Sequence, residues 1–281
     1  MTLNSHVVSP STAQDFRTKG YAILPNFYDD ADVSSIQEDI RIIIEALCKK
    51  YEVKATTETP YLAMTSGYSA LIAKNRSWGG EVYDGVKQIP AFLRLVCNAR
   101  NDTIFRTLRP HSTPGIAAGG YGIRIDNPNE EKFRAQWHQE FPSQLRSIDG
   151  IVYWSPLLPL SPEMGPVQIA EGSQAEGAVP VYSDSKGVGA SGAYALHLDR
   201  CDERLSKYDV VAPLSKPGDL ILMDFLTMHQ SGYNISNIPR WSMQFRYFNF
   251  SDPLGVRISW AGSFAAGVDF GKIMPELVAK K

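Results

Sequence analysis

The sequence predicts one mainly-β domain, a sandwich or barrel flanked by helices, from two patterns that meet near its first third. Over roughly the first hundred residues, apolar side chains recur at helical spacing. From about residue 104 onward, short runs of branched and aromatic residues alternate with Gly, Pro, Asn and Ser. With 281 residues, 43% of them hydrophobic, a core of this kind needs no disulfide or structural metal. All-β folds reach this length as a single unit. Residues 1–281 are therefore read as one domain, with 1–100 a mostly helical buttress and 104–265 the β core.

In chain order, Ser11 or Thr12 is expected to cap a short helix ending at Gly20, and YAILPNF follows as a small strand. Asp29 and Asp30 open a longer helix with Val33, Ile36, Ile40, Ile43, Ile44 and Leu47 on one stripe. Such a stripe has to pack on something, and a sheet face is the natural partner. Later, IVYWSPL, PVQIAEGS, DLILMDFL and RWSMQFRYFNF read as strands. A Gly- and Ser-rich stretch near 182–194 (YSDSKGVGASGAY) is expected to be a mobile insert and a lid over substrate.

Composition excludes several classes of function. The net charge is −2 and Lys and Arg are scattered, which argues against a nucleic-acid partner. Cys48, Cys97 and Cys201 form neither a CxxC pair nor a secretory framework, as expected of a reducing cytoplasm. MTLNSHVVSPSTAQDF lacks the pattern of a signal peptide, and no run approaches a membrane span. A cytoplasmic protein acting on a small molecule, with no membrane partner, is the expectation.

The strongest chemical signal is QWHQEF. In a strand, residues i and i+2 share a face, so His138 and Glu140 converge while Trp137, Gln139 and Phe141 point away. Alone, an HxE tripeptide is common and reads more readily as a surface His and Glu that happen to alternate. Ninety residues on, His229 closes the hydrophobic run DLILMDFLTMH, where an unpaired imidazole is costly. Taken singly it could be a core histidine satisfied by a carbonyl. Together, two histidines and a carboxylate form the facial triad that leaves metal positions open for co-substrate and oxygen.

The strand after His229 carries a second anomaly. Trp241, Met243, Phe245 and Tyr247 form an apolar face, and Arg240, Ser242, Gln244 and Arg246 form the other. If the aromatic face packs on the N-terminal helices, the arginine face looks into the barrel. A buried guanidinium needs an anion, and Arg suits bidentate carboxylate binding better than Lys. Arg246 reads equally as an ordinary exposed residue of an edge strand.

The tract His138–Tyr247 resembles the phytanoyl-CoA dioxygenase family of non-haem iron oxygenases, through WHQE, EMGPVQIAEGSQ, PGDLILMD and HQSGYNISNIPR. FRTKGYAILPNF resembles the family's opening, so the likeness spans nearly the whole chain. It implies a double-stranded β-helix (jelly-roll, cupin-like) core. It also implies Fe(II), held by His138, Glu140 and His229, with 2-oxoglutarate as co-substrate and O2 as oxidant. Arg240 would meet the distal carboxylate of 2-oxoglutarate with Ser231 and Ser242, while Trp154 and Ile123 would wall the pocket. The implied reaction hydroxylates a C–H bond and releases succinate and CO2.

Two departures stand out. The family more often has Asp where this chain has Glu140, one methylene longer. Its usual Pro-Gly-Ser-His appears here as Ala170-Glu171-Gly172-Ser173-Gln174, without the histidine. Related halogenases replace the carboxylate by a small residue, so Glu140 argues against halogenation. No basic cluster suits a CoA phosphate, which favours a small polar metabolite or sugar derivative. The rival readings are a cupin-like metal- or sugar-binding protein without turnover and a zinc hydrolase on the same ligands.

Overall fold

The computed structural model describes residues 8–183, 196–262 and 268–279. Helix α1 (Pro10–Lys19) begins earlier than Ser11 or Thr12 suggests. Proline is pre-organised for the first helical position, so Ser9 becomes the cap and its hydroxyl accepts from the Thr12 N–H at 3.0 Å. The helix stops at Gly20, whose φ of 78° is left-handed, and strand β1 (Tyr21–Leu24) follows.

Helix α2 (Asp30–Lys50) buries Val33, Ile36, Ile40, Ile44 and Cys48, while Ile43 and Leu47 are only partly covered. A turn α3 (Pro60–Leu62), a π-helical stretch Ala63–Gly67, and helices α4 (Tyr68–Lys74), α5 (Trp78–Val86), α6 (Pro90–Val96) and α7 (Ala99–Leu108) complete the helical layer. That layer runs past residue 104 to Leu108, because Ile104, Phe105 and Leu108 continue the buried helical spacing of α7.

The strands are β2 (Pro114–Ile116), β3 (Gly122–Asp126), β4 (Gly150–Pro156), β5 (Val167–Ala170), β6 (Val181–Ser183), β7 (Leu196–Leu198), β8 (Val210–Val211), β9 (Leu220–Asp224), β10 (His229–Ser231) and β11 (Arg240–Asn249). They form an antiparallel sheet in the order β1-β9-β4-β11-β2, with β3 also on β11. A smaller antiparallel sheet runs β10-β5-β8, and β6 pairs with β7. Of the stretch 182–194, Tyr182 and Ser183 end β6, and the expected mobile lid otherwise lies outside the described residues.

Alternation along the large sheet builds two cores. Its outer face presents Tyr153, Leu220, Leu222, Trp241, Met243, Phe245 and Tyr247 to the helices. Polar tips on this face find partners in the helical layer: Trp241 Nε1 donates to Met64 O at 2.8 Å, Tyr247 Oη to Val96 O at 2.9 Å and Tyr153 Oη to Asn101 O at 2.9 Å. The inner face sets Val152, Trp154, Ile221 and Met223 against Val167, Ile169 and Ala170 of the small sheet. Among the described residues, no helix is long and apolar enough to cross a membrane.

Candidate metal centre and its cavity

His138 and His229 face each other across an antiparallel bridge, exchanging N–H···O bonds of 3.0 Å in both directions. Such pairing sets the two side chains on one face, with ring centroids 4.3 Å apart. Each Nδ1 lies against the carbonyl two residues before it, Gln136 O at 2.7 Å and Thr227 O at 2.9 Å. With Nδ1–H donating there, each Nε2 keeps its lone pair for a metal.

The strand expected through QWHQEF is reduced to the single bridge at His138. Gln139 is still extended, but Glu140 begins a short helix α8 (Glu140–Gln144), anchored by its N–H on Phe225 O at 2.9 Å. Glu140 nevertheless converges with His138, its Oε2 lying 3.9 Å from His138 Nε2 and 3.7 Å from His229 Nε2. Gln139 points away, donating to Gly177 O and Leu226 O and accepting from the Val179 N–H. Phe141 is buried in the core between the sheets.

All three groups are buried, and one ligand atom from each lies within 4.8 Å of the others. Burial, then the neighbouring His229, lower the His138 imidazole to about 3. Burial also lowers His229. Burial pushes the Glu140 carboxyl upward, but Arg246 and the two imidazoles outweigh it and hold it at about 2. Two neutral imidazoles and one carboxylate around a gap fit a divalent iron with positions left open.

A cavity of about 190 Å³ opens on this triad. Trp154, Val152 and Met223 line it from the large sheet, and Val167, Gln230 and Ser231 from the small one. Tyr83, Gly119, Gly120, Tyr121, Arg124, Gln144, Gln244 and Arg246 complete much of the remaining wall. Ser231 shares the face of His229, as expected of residues two apart in a strand. Beside it two backbones nearly touch. Gly165, at φ 65°, has no room for a side chain against Gly232 and Tyr233, and the Gly232 N–H donates to Pro166 O at 3.0 Å.

Arg240 is 1% exposed and lies on the inner face of β11, but it does not line the cavity. Its anion comes in part from the protein: Nη2 donates to Asp126 Oδ2 at 2.7 Å. Arg124 Nε grips the same carboxylate at 2.9 and 2.8 Å. Burial raises Asp126, but Arg124 and Arg240 prevail and hold it at about 2. Arg240 Nε and Nη1 are buried without a partner, as is the hydroxyl of Ser242 two residues along the same face.

Ile123 does not meet its expectation. It pairs with Met243 and belongs to the core against the helices, because its strand neighbours Gly122 and Arg124 take the inward positions. Gln174, in the family's histidine place, donates to Arg17 O and Thr18 O at the end of α1. Two residues escaped the sequence reading, and so did the partner of Arg246. Arg124 and Asp126 alternate on one face of GIRID, a local signal that was available. The contact of Arg246 with Glu140 joins residues 106 apart and has no local signal.

Residues 121–242 match the family described as phytanoyl-CoA dioxygenase (PhyH). No curated protein matches the chain. Among solved structures, it is similar to EctD from S. alaskensis with 2-oxoglutarate and 5-hydroxyectoine, at 18% identity and TM-score 0.58, over 90% of this chain and 80% of that one. It is also similar to the non-heme alpha ketoglutarate dependent carbocyclase SnoK from nogalamycin biosynthesis, at 14% identity and TM-score 0.53, over 93% and 94%. EvdO2 from Micromonospora carbonacea var. aurantiaca matches at 19% identity and TM-score 0.51, over 86% and 91%. The segment similar to the phytanoyl-CoA dioxygenase family contains the whole His–Glu–His triad and Arg240, and the chain shares the fold of these solved structures.

Proposed function

We propose that the chain hydroxylates a C–H bond of a small polar metabolite, with 2-oxoglutarate converted to succinate and CO2. The observation that carries this reading is the unfinished hydrogen bonding of Arg240. A buried N–H without an acceptor costs about 1–3 kcal/mol, and this guanidinium has two such nitrogens, with the idle Ser242 hydroxyl about 7 Å along the strand. A carboxylate docked on the Nη1 edge would relieve part of this deficit. A protein that only holds a metal or a sugar has no use for such an anion site.

His138 Nε2, His229 Nε2 and Glu140 Oε2 would hold the iron, which with 2-oxoglutarate and oxygen supplies the oxidising power that removes a substrate hydrogen. Arg240 and Ser242, with Ser231, receive the distal carboxylate of the co-substrate after a small side-chain movement in the wall. Trp154 walls the pocket and excludes water. In this reading the two main sheets are the halves of a jelly roll, with the site in its mouth.

The cavity bounded by the described residues is below the roughly 300–1,000 Å³ usual for drug-sized ligands. Its amides and tyrosines suit a compact polar substrate. Glu140 occupies the place that a halogenase leaves for chloride. For a zinc hydrolase, the described lining offers no carboxylate or histidine beyond the triad to serve as general base.

The test is anaerobic titration of the iron-loaded chain with 2-oxoglutarate, followed through the metal-to-ligand absorption band. Absence of the band overturns the co-substrate assignment. Mass spectrometry of a metabolite pool incubated with enzyme, iron, ascorbate and 2-oxoglutarate then identifies the substrate as a species gaining one oxygen.

A further inference from the structure

The two arginines on the inner face of β11 differ in their partners. Arg240 leaves two nitrogens idle, whereas every nitrogen of Arg246 is engaged. Arg246 Nε donates to Glu140 Oε1 at 2.9 Å and Nη2 to Glu140 Oε2 at 3.3 Å. Nη1 donates to Gly120 O at 3.2 Å, and Nη2 also reaches Gln244 Oε1 at 3.3 Å. The guanidinium is thus fixed by the backbone of one loop and a side chain of its own strand, while its fork closes on the acidic ligand.

We propose that Arg246 is a positioning residue that compensates for glutamate at position 140, holding Oε1 so that the carboxylate meets the metal through Oε2 alone. Glu140 is longer than the family's usual aspartate by one methylene and one rotatable bond. Unrestrained, such an arm can swing until both oxygens chelate the ion. A chelating Glu140, two imidazoles and a bidentate co-substrate would fill an octahedral iron and leave no position for oxygen. Oε2 faces both imidazoles, at 3.9 and 3.7 Å, and a carboxylate oxygen has lone pairs enough to ligate metal while accepting from Nη2. The proposal rests on the assignment of the three ligands above.

The sign of the effect separates positioning from simple electrostatics. A guanidinium beside a cation site repels the cation, so if charge were all that mattered, removing it would tighten iron binding. Loss of the clamp leaves a freely rotating arm that must be ordered again on binding, and this loss of orientation weakens the affinity for iron. Fe(II) affinity is measured by anaerobic calorimetry on the full chain, with circular dichroism confirming the fold. Arg246→Gln should weaken Fe(II) binding about 10–100-fold, the usual effect of losing a partner that orients a ligand. Arg246→Lys keeps the charge but loses the fork, and should fall between the two. It carries the test if Arg246→Gln does not fold, because a purely electrostatic role predicts wild-type affinity for it. In a Glu140→Asp background the shorter arm no longer reaches the fork, so Arg246→Gln should add less than about twofold.

Wild-type or tighter binding by Arg246→Gln, wild-type binding by Arg246→Lys, or full additivity with Glu140→Asp would each overturn the clamp while leaving the ligand assignment intact. Wild-type protein that binds no iron would overturn both.

Discussion

Replacing Arg240 by alanine should uncouple 2-oxoglutarate binding from iron binding. Its guanidinium is 1% exposed, with Nη2 on Asp126 and with Nε and Nη1 unpartnered. A hydrogen bond to a charged group contributes about 1.5–3 kcal/mol, so two such bonds to a carboxylate contribute roughly 3–6 kcal/mol. At about 1.4 kcal/mol per tenfold, the 2-oxoglutarate constant should rise by roughly two to four orders of magnitude. Asp126 is not orphaned by the change, because Arg124 Nε still holds it at 2.9 and 2.8 Å, so the fold should survive. Iron content should stay at the wild-type level, since Arg240 touches none of the three ligands. Arg240→Lys should recover only part of the loss, because an ammonium cannot present the fork. The assay is the anaerobic absorption titration with metal analysis of the same samples. If Arg240→Ala titrates like wild type, the orphaned nitrogens are not the co-substrate site and the reasoning fails.

Other expectations follow from neighbouring contacts. His138→Ala and His229→Ala should each lose iron with the fold retained, and stoichiometric iron in either would refute the ligand set. Ser242→Ala should raise the 2-oxoglutarate constant by roughly one to two orders of magnitude, since one hydrogen bond to a carboxylate contributes about 1.5–3 kcal/mol; a wild-type constant would remove Ser242 from the site. Gln139→Ala removes three buried hydrogen bonds between the ligands and should destabilise the chain by about 2–4 kcal/mol in urea unfolding. Asp126 is held at about 2 against an ordinary 3.8, so its contribution is complete above roughly pH 4 and lost as pH falls through 2. Asp126→Asn should flatten that part of the acid-unfolding curve, and an unchanged curve would show that the carboxylate is not held down.

The convergence of the three candidate ligands was legible because a common HxE gains meaning from a second, independent anomaly downstream. His229 closes a run where a lone imidazole is expensive, and RWSMQFRY alternates aromatic and cationic residues in a way that only a two-sided burial explains. Convergence of His138 and Glu140 was anticipated although only an isolated bridge forms there, since one extended residue, Gln139, is enough to return the side chain to the same side. Ile123 was assigned by resemblance alone, and in β3 the inward positions belong to its neighbours Gly122 and Arg124, which line the cavity. The partners of both arginines were hidden for another reason. Arg240 meets Asp126 from 114 residues away and Arg246 meets Glu140 from 106, and no spacing rule reaches across such separations.

Strand β11 has a further consequence for how this protein can change. Its outward side chains are locked near both ends, Trp241 to Met64 O and Tyr247 to Val96 O, while its inward ones carry Arg240 and Arg246. A slip of one residue would drive the arginines into the helical layer and set tryptophan beside the His–Glu–His triad. The helices therefore proofread the catalytic strand: a chain that seats its aromatic row correctly has, by the same act, delivered its cations. Such a strand is closed to innovation on both sides. New substrate preferences have to arise on elements free of that double duty, and Tyr83 on α5, Gln144 on α8 and Gln230 on β10 are where the cavity wall is open to them.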